Sequence, residues 1–286
     1  MQERKIGNRR VSAVGLGAMP MSIEGRPDPE RSIATIHAAL DAGVTLIDTA
    51  NSYHRDAGEE GHNEELVARA LRQRSVSPDE VLVATKGGTQ RPGDGSWIKN
   101  GRPERLKEAA KDSARRLGVE AIGLYQFHRP DPEVPFADSM GAIAELLDEG
   151  VIQMAGISNT DIAQIDEANE ILGGRLASVQ NQFSPRFRSS QGELEHCAQL
   201  GVAFLPWSPL GGIANAAELG EQHATFQAVA DELGVSVYQA TLAWHLALAP
   251  EVVPIPGASR PESIIDSVGA ADVQLTSEQV ARLSAA

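Results

Sequence analysis

The sequence predicts an α/β chain that folds as one (β/α)8 TIM barrel over residues 1–286, with its site at the C-terminal ends of the strands. Three observations predict it. Eight short apolar runs alternate with amphipathic stretches from end to end. No linker, repeat or shift in composition divides the chain. Its 286 residues sit near the roughly 250 typical of this fold.

The apolar runs are Val14–Met19, Val44–Asp48, Val81–Lys86, Ile122–His128, Ile152–Ser158, Ala177–Gln180, Val202–Pro206 and Val252–Ile255. Each is β-branched or Leu-rich and closed by polar, Gly or Pro residues, as a parallel strand buried on both faces should be. Between them lie helical patterns such as Pro29–Ala42, Asn63–Gln73, Pro103–Leu117, Phe136–Glu149, Ile162–Leu172, Gln191–Leu200 and Ser236–Leu248. Asp41-Ala42-Gly43 and Glu149-Gly150 read as helix stops, and Pro103-Glu104 and Ser277-Glu278 as helix starts.

Composition narrows the function. With 25 Lys+Arg against 39 Asp+Glu the chain carries -14. Nucleic-acid binders need clustered cations, so no nucleic acid is expected, and anionic lipid is disfavoured for the same reason. Any anion bound here must be captured locally. A single cysteine, Cys197, excludes an intramolecular disulfide framework and a Cys-rich metal site, and no metal is expected. No apolar run reaches the roughly 18 residues of a membrane span. The start, Met1-Gln2-Glu3-Arg4-Lys5, runs on without an apolar signal core, so a cytoplasmic protein is the expectation. A monomer is expected.

A barrel of this kind carries its chemistry on the strand ends. Here those ends are Asp48, Lys86, His128, Ser158-Asn159, Gln180-Asn181, Trp207-Ser208 and Gly257–Arg260. Singly, each has a bland explanation as a cap, a solvent-facing cation or a core imidazole. Together on one face they are hard to explain as stability. Asp48 and Lys86 fall on adjacent strands, where an ion pair satisfies two otherwise costly charges. Tyr53 follows Asp48 by five residues, in the loop leaving that strand. A phenol near pKa ~10 is a poor acid at neutral pH, and a neighbouring ammonium is expected to lower it. His128 can bond the same oxygen or a substrate carbonyl. A tuned phenol with neither metal ligands nor a nucleophile–base pair points to proton transfer coupled to hydride transfer.

The stretch 43–53, GVTLIDTANSY, followed by Asn63-Glu64-Glu65-Leu66, resembles the signature of the aldo-keto reductase family. Val83–Lys86, Leu124–His128, Gly156–Asn159, Ser178–Asn181, Trp207–Gly211 and Ile255–Glu262 match its successive strand ends in order. The resemblance covers essentially the whole chain. It implies a catalytic tetrad of Asp48, Tyr53, Lys86 and His128, with Tyr53 the general acid in reduction. It implies NADPH/NADP+ as cofactor and a small carbonyl compound as substrate. Ser158, Asn159 and Gln180 match residues that bond the nicotinamide carboxamide, and Trp207 stands where the family stacks an aromatic ring. Ser208, Pro209, Leu210, Gly211 and Gly212 match a loop passing the pyrophosphate, and Gly17 and Gly257 border the same site. Ser259 and Arg260 match a 2′-phosphate site at a helix start, and Asp266 stands in an adenine-contacting position. Two departures are Asp266-Ser267 for a frequent Glu-Asn, and Gly257-Ala258 for a frequent Lys-Ser. The end at Ala286 implies a shallow, open pocket.

Several motifs resemble sites they do not form. Gly15-Leu16-Gly17 half-matches a dinucleotide fingerprint but lacks its third Gly, and Pro20 follows where a helix should open. The acidic loop 56–62 lacks the spacing of a calcium site and reads as solvated. Trp97 reads equally as a substrate wall or a loop anchor. The functional expectation is an NADPH-dependent reductase of an aldehyde or ketone. Its rivals are a nicotinamide-responsive regulatory or scaffold protein, and a dedicated pyridoxal-type aldehyde reductase.

Overall fold

The computed structural model describes residues 2–212 and 215–286. The chain opens with a hairpin, β1 Glu3–Ile6 and β2 Arg9–Ser12, turning at Gly7 with φ 53°. β3 Leu16–Gly17, α1 Pro29–Asp41, β4 Leu46–Asp48, α2 His62–Gln73 and β5 Leu82–Gly87 follow. A second hairpin, β6 Thr89–Gln90 and β7 Ile98–Lys99, leads to α3 Pro103–Leu117. Next come β8 Leu124–Phe127, α4 Phe136–Asp148, β9 Ala155–Ser158, α5 Ile162–Ile171, β10 Leu176–Gln180, α6 Gln191–Leu200 and β11 Ala203–Phe204. The rest is helical: α7 Leu219–Gln222, α8 Ala224–Leu233, α9 Val237–Leu248, α10 Pro261–Gly269 and α11 Ser277–Ser284. No helix among the described residues is long and apolar enough to cross a membrane.

Seven strands form one curled parallel sheet in the order β11-β10-β9-β8-β5-β4-β3. The expectation of eight regular strands is corrected at 252–257. That segment makes only isolated bridges, Phe204 with Val252 on one sheet edge and Gly17 with Gly257 on the other. The reason is Pro254 and Pro256. Val253 and Ile255 donate to Phe204 O and Pro206 O at 2.9 and 3.3 Å, but toward β3 the two prolines can only accept, from Gly15 and Gly17 at 3.0 and 2.9 Å. Half the donors of a ladder are missing on that side. Gly17 is required at this approach, because a Cβ there would stand 2.9 Å from Ile255 O.

Side-chain parity positions the site. Ile6 and Val11 of the first hairpin pack with Leu46, Leu82, Ala84, Leu124, Ala177, Leu205 and Val253 in the interior of the curled sheet. Their alternates, Tyr125, Phe127, Ile157, Val179 and Phe204, face the helices. Two residues beyond an interior position, the next side chain points inward again. Asp48 therefore follows Leu46, Lys86 follows Ala84, and Gln126 follows Leu124. A polar layer sits directly on the apolar one.

Candidate active site

That layer is one hydrogen-bonded cluster. Lys86 Nζ donates to Asp48 Oδ1 at 2.5 Å, to Thr49 O at 2.9 Å and to the Tyr53 hydroxyl at 3.0 Å. The other carboxylate oxygen of Asp48 accepts from Gln180 Nε2 at 2.7 Å and Gln126 Nε2 at 3.2 Å. Every one of these groups is buried. Gln126 escaped the sequence reading. The available signal was its parity with Leu124, and Gly156 opposite it in the register leaves the space its side chain fills.

Tyr53 reaches the cluster because its loop is pinned from both ends. Thr49 Oγ1 donates to Asn63 Oδ1 at 2.6 Å, and Thr85 Oγ1 donates to the buried Glu64 at 2.5 Å. Gly61 N bonds Asn51 O at 2.7 Å. Asn63 and Glu64, at the start of α2, thus hold the loop 49–61 against β4 and β5. The acidic residues of that loop are engaged with arginines: Glu59 with Arg26, Asp56 with Arg55, and Glu60 with Arg105.

Burial decides the protonation states. It raises the Tyr53 phenol above its usual value, outweighing the opposing pull of Lys86. The expected lowering by the ammonium is therefore corrected in sign: the phenol keeps its proton. Burial alone would lower Lys86, but Asp48 and Tyr53 together hold its pKa above the usual value. His128 is pushed well below 6.5 by burial, with help from Lys86 and Arg129, and is a neutral imidazole. Ser52 Oγ stands 3.4 Å from His128 Nδ1. An acid must be protonated to act, so a raised phenol moves the alkaline limb of the rate profile upward. Carbonyl reduction should therefore run level across neutral pH and fall only beyond about 10. A kcat–pH profile falling from about pH 7 upward would contradict this assignment.

Above the cluster opens a cavity of about 440 Å³. Tyr53, His128 and Trp97 meet there edge to face, with centroids 5.7–6.5 Å apart. Trp97 is 42% exposed, lies over the Arg91 guanidinium at 4.4 Å and forms part of the wall. The wall continues through Met19, Arg129, Trp207 and Ser208–Leu210 to Gly17 and Gly257.

The residues expected at a nicotinamide are brought together, though largely engaged with one another. Ser158 Oγ donates to Gln180 O at 2.6 Å. Asn159 Nδ2 donates to His128 O at 3.0 Å and Ser158 Oγ at 2.9 Å, and its Oδ1 accepts from Trp207 Nε1 at 3.2 Å. Gln180 spends its nitrogen on Asp48 and keeps Oε1 without a partner among the described residues. An amide fits this wall, with Gln180 Oε1 as acceptor and the Trp207 indole as a flat face. Ser208 is held at φ 51°. Of the two glycines expected in this loop, Gly212 lines the cavity and Gly211 does not. Ser259 and Arg260 lie past the cavity wall. Arg260 caps α10, is exposed and donates Nε to Ser263 Oγ at 2.8 Å. Asp266 is not at the cavity: its carboxylate accepts from Ser236 at 2.7 Å and Gln239 at 2.9 Å, tying α10 to the start of α9.

The family model for the aldo/keto reductase family matches residues 13–286. The chain belongs to the aldo-keto reductase family. An uncharacterized oxidoreductase of Schizosaccharomyces pombe is 36% identical over 98% of this chain and 88% of its own length. Pyridoxine 4-dehydrogenase of Escherichia coli is 29% identical over 97% of this chain and 96% of its own. Among solved structures, a thermostable aldo-keto reductase in complex with the inhibitor epalrestat is similar at TM-score 0.85 and 28% identity, covering 100% of this chain and 99% of its own. An aldo/keto reductase from Klebsiella pneumoniae, in complex with NADP and acetate, is similar at TM-score 0.80 and 25% identity, covering 99% and 95%. The aldo-keto reductase fold, of the TIM-barrel type, and oxidoreductase relatives agree with the curled sheet and its polar mouth.

Proposed function

We propose that this chain is an NADPH-dependent reductase of an aldehyde or ketone, built as one (β/α)8 barrel closed by residues 252–257, with Tyr53 as general acid. One observation carries the reading: a buried ammonium, Lys86, bonded at once to a carboxylate and to a phenol at the floor of a cavity. The Klebsiella relative's complex with NADP supports the cofactor. Gln180, Asn159, Ser158 and Trp207 would hold the nicotinamide end, and Ser208–Leu210, Gly17 and Gly257 the stretch beyond it. A reduced nicotinamide bound there would supply the hydride for the carbonyl carbon. Tyr53 gives its proton to the carbonyl oxygen, and Lys86 at 3.0 Å stabilises the phenolate as it forms. Asp48 fixes the ammonium, and Gln126 and Gln180 fix Asp48. Neutral His128 can donate to the same oxygen without competing for the proton. Solvent then reprotonates Tyr53.

The test is a panel of aldehydes and ketones with NADPH and with NADH, read as oxidation of the reduced cofactor. Turnover with no carbonyl and either cofactor would end the reading. Similarity to pyridoxine 4-dehydrogenase favours a second, narrower reading, a pyridoxal-type aldehyde reductase. The same panel separates the two.

Cofactor choice turns on Arg260, the one Lys or Arg between Arg188 and Arg282. In a chain of -14 an anion is held there by local geometry. That geometry is a guanidinium at a helix start, where amides also point outward. A hydrogen bond to a charged group contributes about 1.5–3 kcal/mol. Arg260→Ala should raise the Kd for NADPH about 10–150-fold and leave NADH nearly unchanged. Equal weakening of both, in a binding titration, would place the 2′-phosphate elsewhere.

A further inference from the structure

The cavity holds a cation that the proposed chemistry leaves unused. Arg129 follows His128 directly, is half-buried and lines the cavity wall. Among the described residues no carboxylate or carbonyl accepts from it. Its guanidinium lies 5.9 Å from the Trp207 ring centroid. That is the outer limit of a cation–π contact and uses none of the five N–H donors. The guanidinium is near enough to the reaction centre for its charge to reach both groups, adding to the lowering of His128 and opposing the burial that raises Tyr53. A half-buried guanidinium without an anion is costly, and this one stands in a chain of -14 where acidic partners abound. Other half-buried arginines have oxygen acceptors: Arg26, Arg105 and Arg116 pair with Glu59, Glu60 and Glu64, and Arg4 and Arg188 donate to the carbonyls of Leu246 and Leu283. A second cation, Lys99, stands exposed on the same rim without an ion pair among the described residues. Lys86, below, is already matched by Asp48. The cavity's free positive charge is therefore concentrated at Arg129 and Lys99, facing walls of Trp97, Met19 and Pro20.

We propose that the substrate is an anionic carbonyl compound, with an apolar body against Trp97 and a carboxylate or phosphate held by Arg129. This rests on the reductase reading above and names its substrate class. The planar fork suits two parallel bonds to an oxyanion, and burial makes each stronger than in water. Lys99, in high dielectric, adds attraction at entry more than affinity. Reaction leaves the anion intact: the carbonyl gains a hydride and a proton, and the charged group serves to position it.

The experiment compares 4-carboxybenzaldehyde with its methyl ester, methyl 4-formylbenzoate, and with 4-formylphenyl phosphate, using wild type and Arg129→Met. Methionine keeps an apolar stem beside Trp207 and removes the charge. Wild type should prefer the anionic aldehydes, mainly through KM. Arg129→Met should lower kcat/KM for them about 10–100-fold and leave the ester and the Kd for NADPH unchanged. Arg129→Lys should restore part of the loss. The carboxylate and phosphate arms show which oxyanion the site prefers. Equal losses on acid and ester, or no preference in wild type, would overturn the proposal, and a loss confined to NADPH affinity would assign Arg129 to the cofactor instead. A further arm titrates 4-(hydroxymethyl)benzoate and its methyl ester by the fluorescence of Trp97 and Trp207. If wild type reduces none of the three aldehydes, the reductase reading fails and this arm alone decides. Tighter binding of the carboxylate that Arg129→Met abolishes supports the anion site, and equal binding of acid and ester overturns it.

Discussion

Tyr53→Phe should fold, bind cofactor and lose reductase turnover by about 10²–10⁴, the loss expected when a general acid is removed. The ring stays edge-on to Trp97 and His128, so the cavity keeps its shape. Only the hydroxyl 3.0 Å from Lys86 disappears. Because burial keeps the phenol protonated, no other group at the floor of the cavity combines a transferable proton with this position. His128 is neutral and could donate a hydrogen bond, but transferring its last proton is far harder. The measurement is kcat with a saturating aldehyde, alongside a cofactor titration. A kcat near wild type would sink the mechanism.

Lys86→Met should be nearly as damaging to turnover and worse for stability. Without the ammonium, the phenolate that forms on proton transfer has no cation beside it. The rate should fall on the order of 10²–10⁴ as well. The change also strands a buried carboxylate. Gln126 and Gln180 still donate to Asp48 Oδ2, but Oδ1 loses its partner. Breaking a buried pair from one side costs about 3–5 kcal/mol. Asp48→Asn is expected to be milder on both counts, since Lys86 keeps Thr49 O and Tyr53 as partners. Chemical denaturation with kcat on the same three proteins checks the order. Lys86→Met with wild-type kcat, or with an unchanged midpoint, would contradict the role given to the ammonium.

The polar cluster was legible because strand parity is legible. Asp48 and Lys86 each end an apolar run, and period two puts them on the face of Leu46 and Ala84. Gln126 obeys the same rule but hides inside its run, between Tyr125 and Phe127. Arg129 was passed over because a charge just after a strand usually faces water, and only the fold shows it turned into the cavity. The first hairpin was missed for a similar reason. Glu3, Lys5, Arg9 and Arg10 dominate its sequence, while the two residues that anchor it in the interior, Ile6 and Val11, are isolated among them. Gly7-Asn8 was the available turn signal. The eighth run was overread. Val252–Ile255 has the composition of a strand, yet Pro254 and Pro256 deny it a regular ladder. The direction of the Tyr53 shift depends on burial, which residue spacing does not report.

The seam between Gly17 and Gly257 joins the β3 edge of the sheet to segment 252–257, and both residues also line the cavity. Their contact links residues 240 positions apart. Closing so long a loop is entropically dear, and the two prolines leave few bonds to reward it. The seam belongs with the contacts expected to form late in folding. Partly made chains can carry Asp48, Lys86 and Tyr53 and still have no complete binding surface. A ligand lying along Gly17 and Gly257 would need the seam closed, so its occupancy would add to the stability of the sheet by mass action.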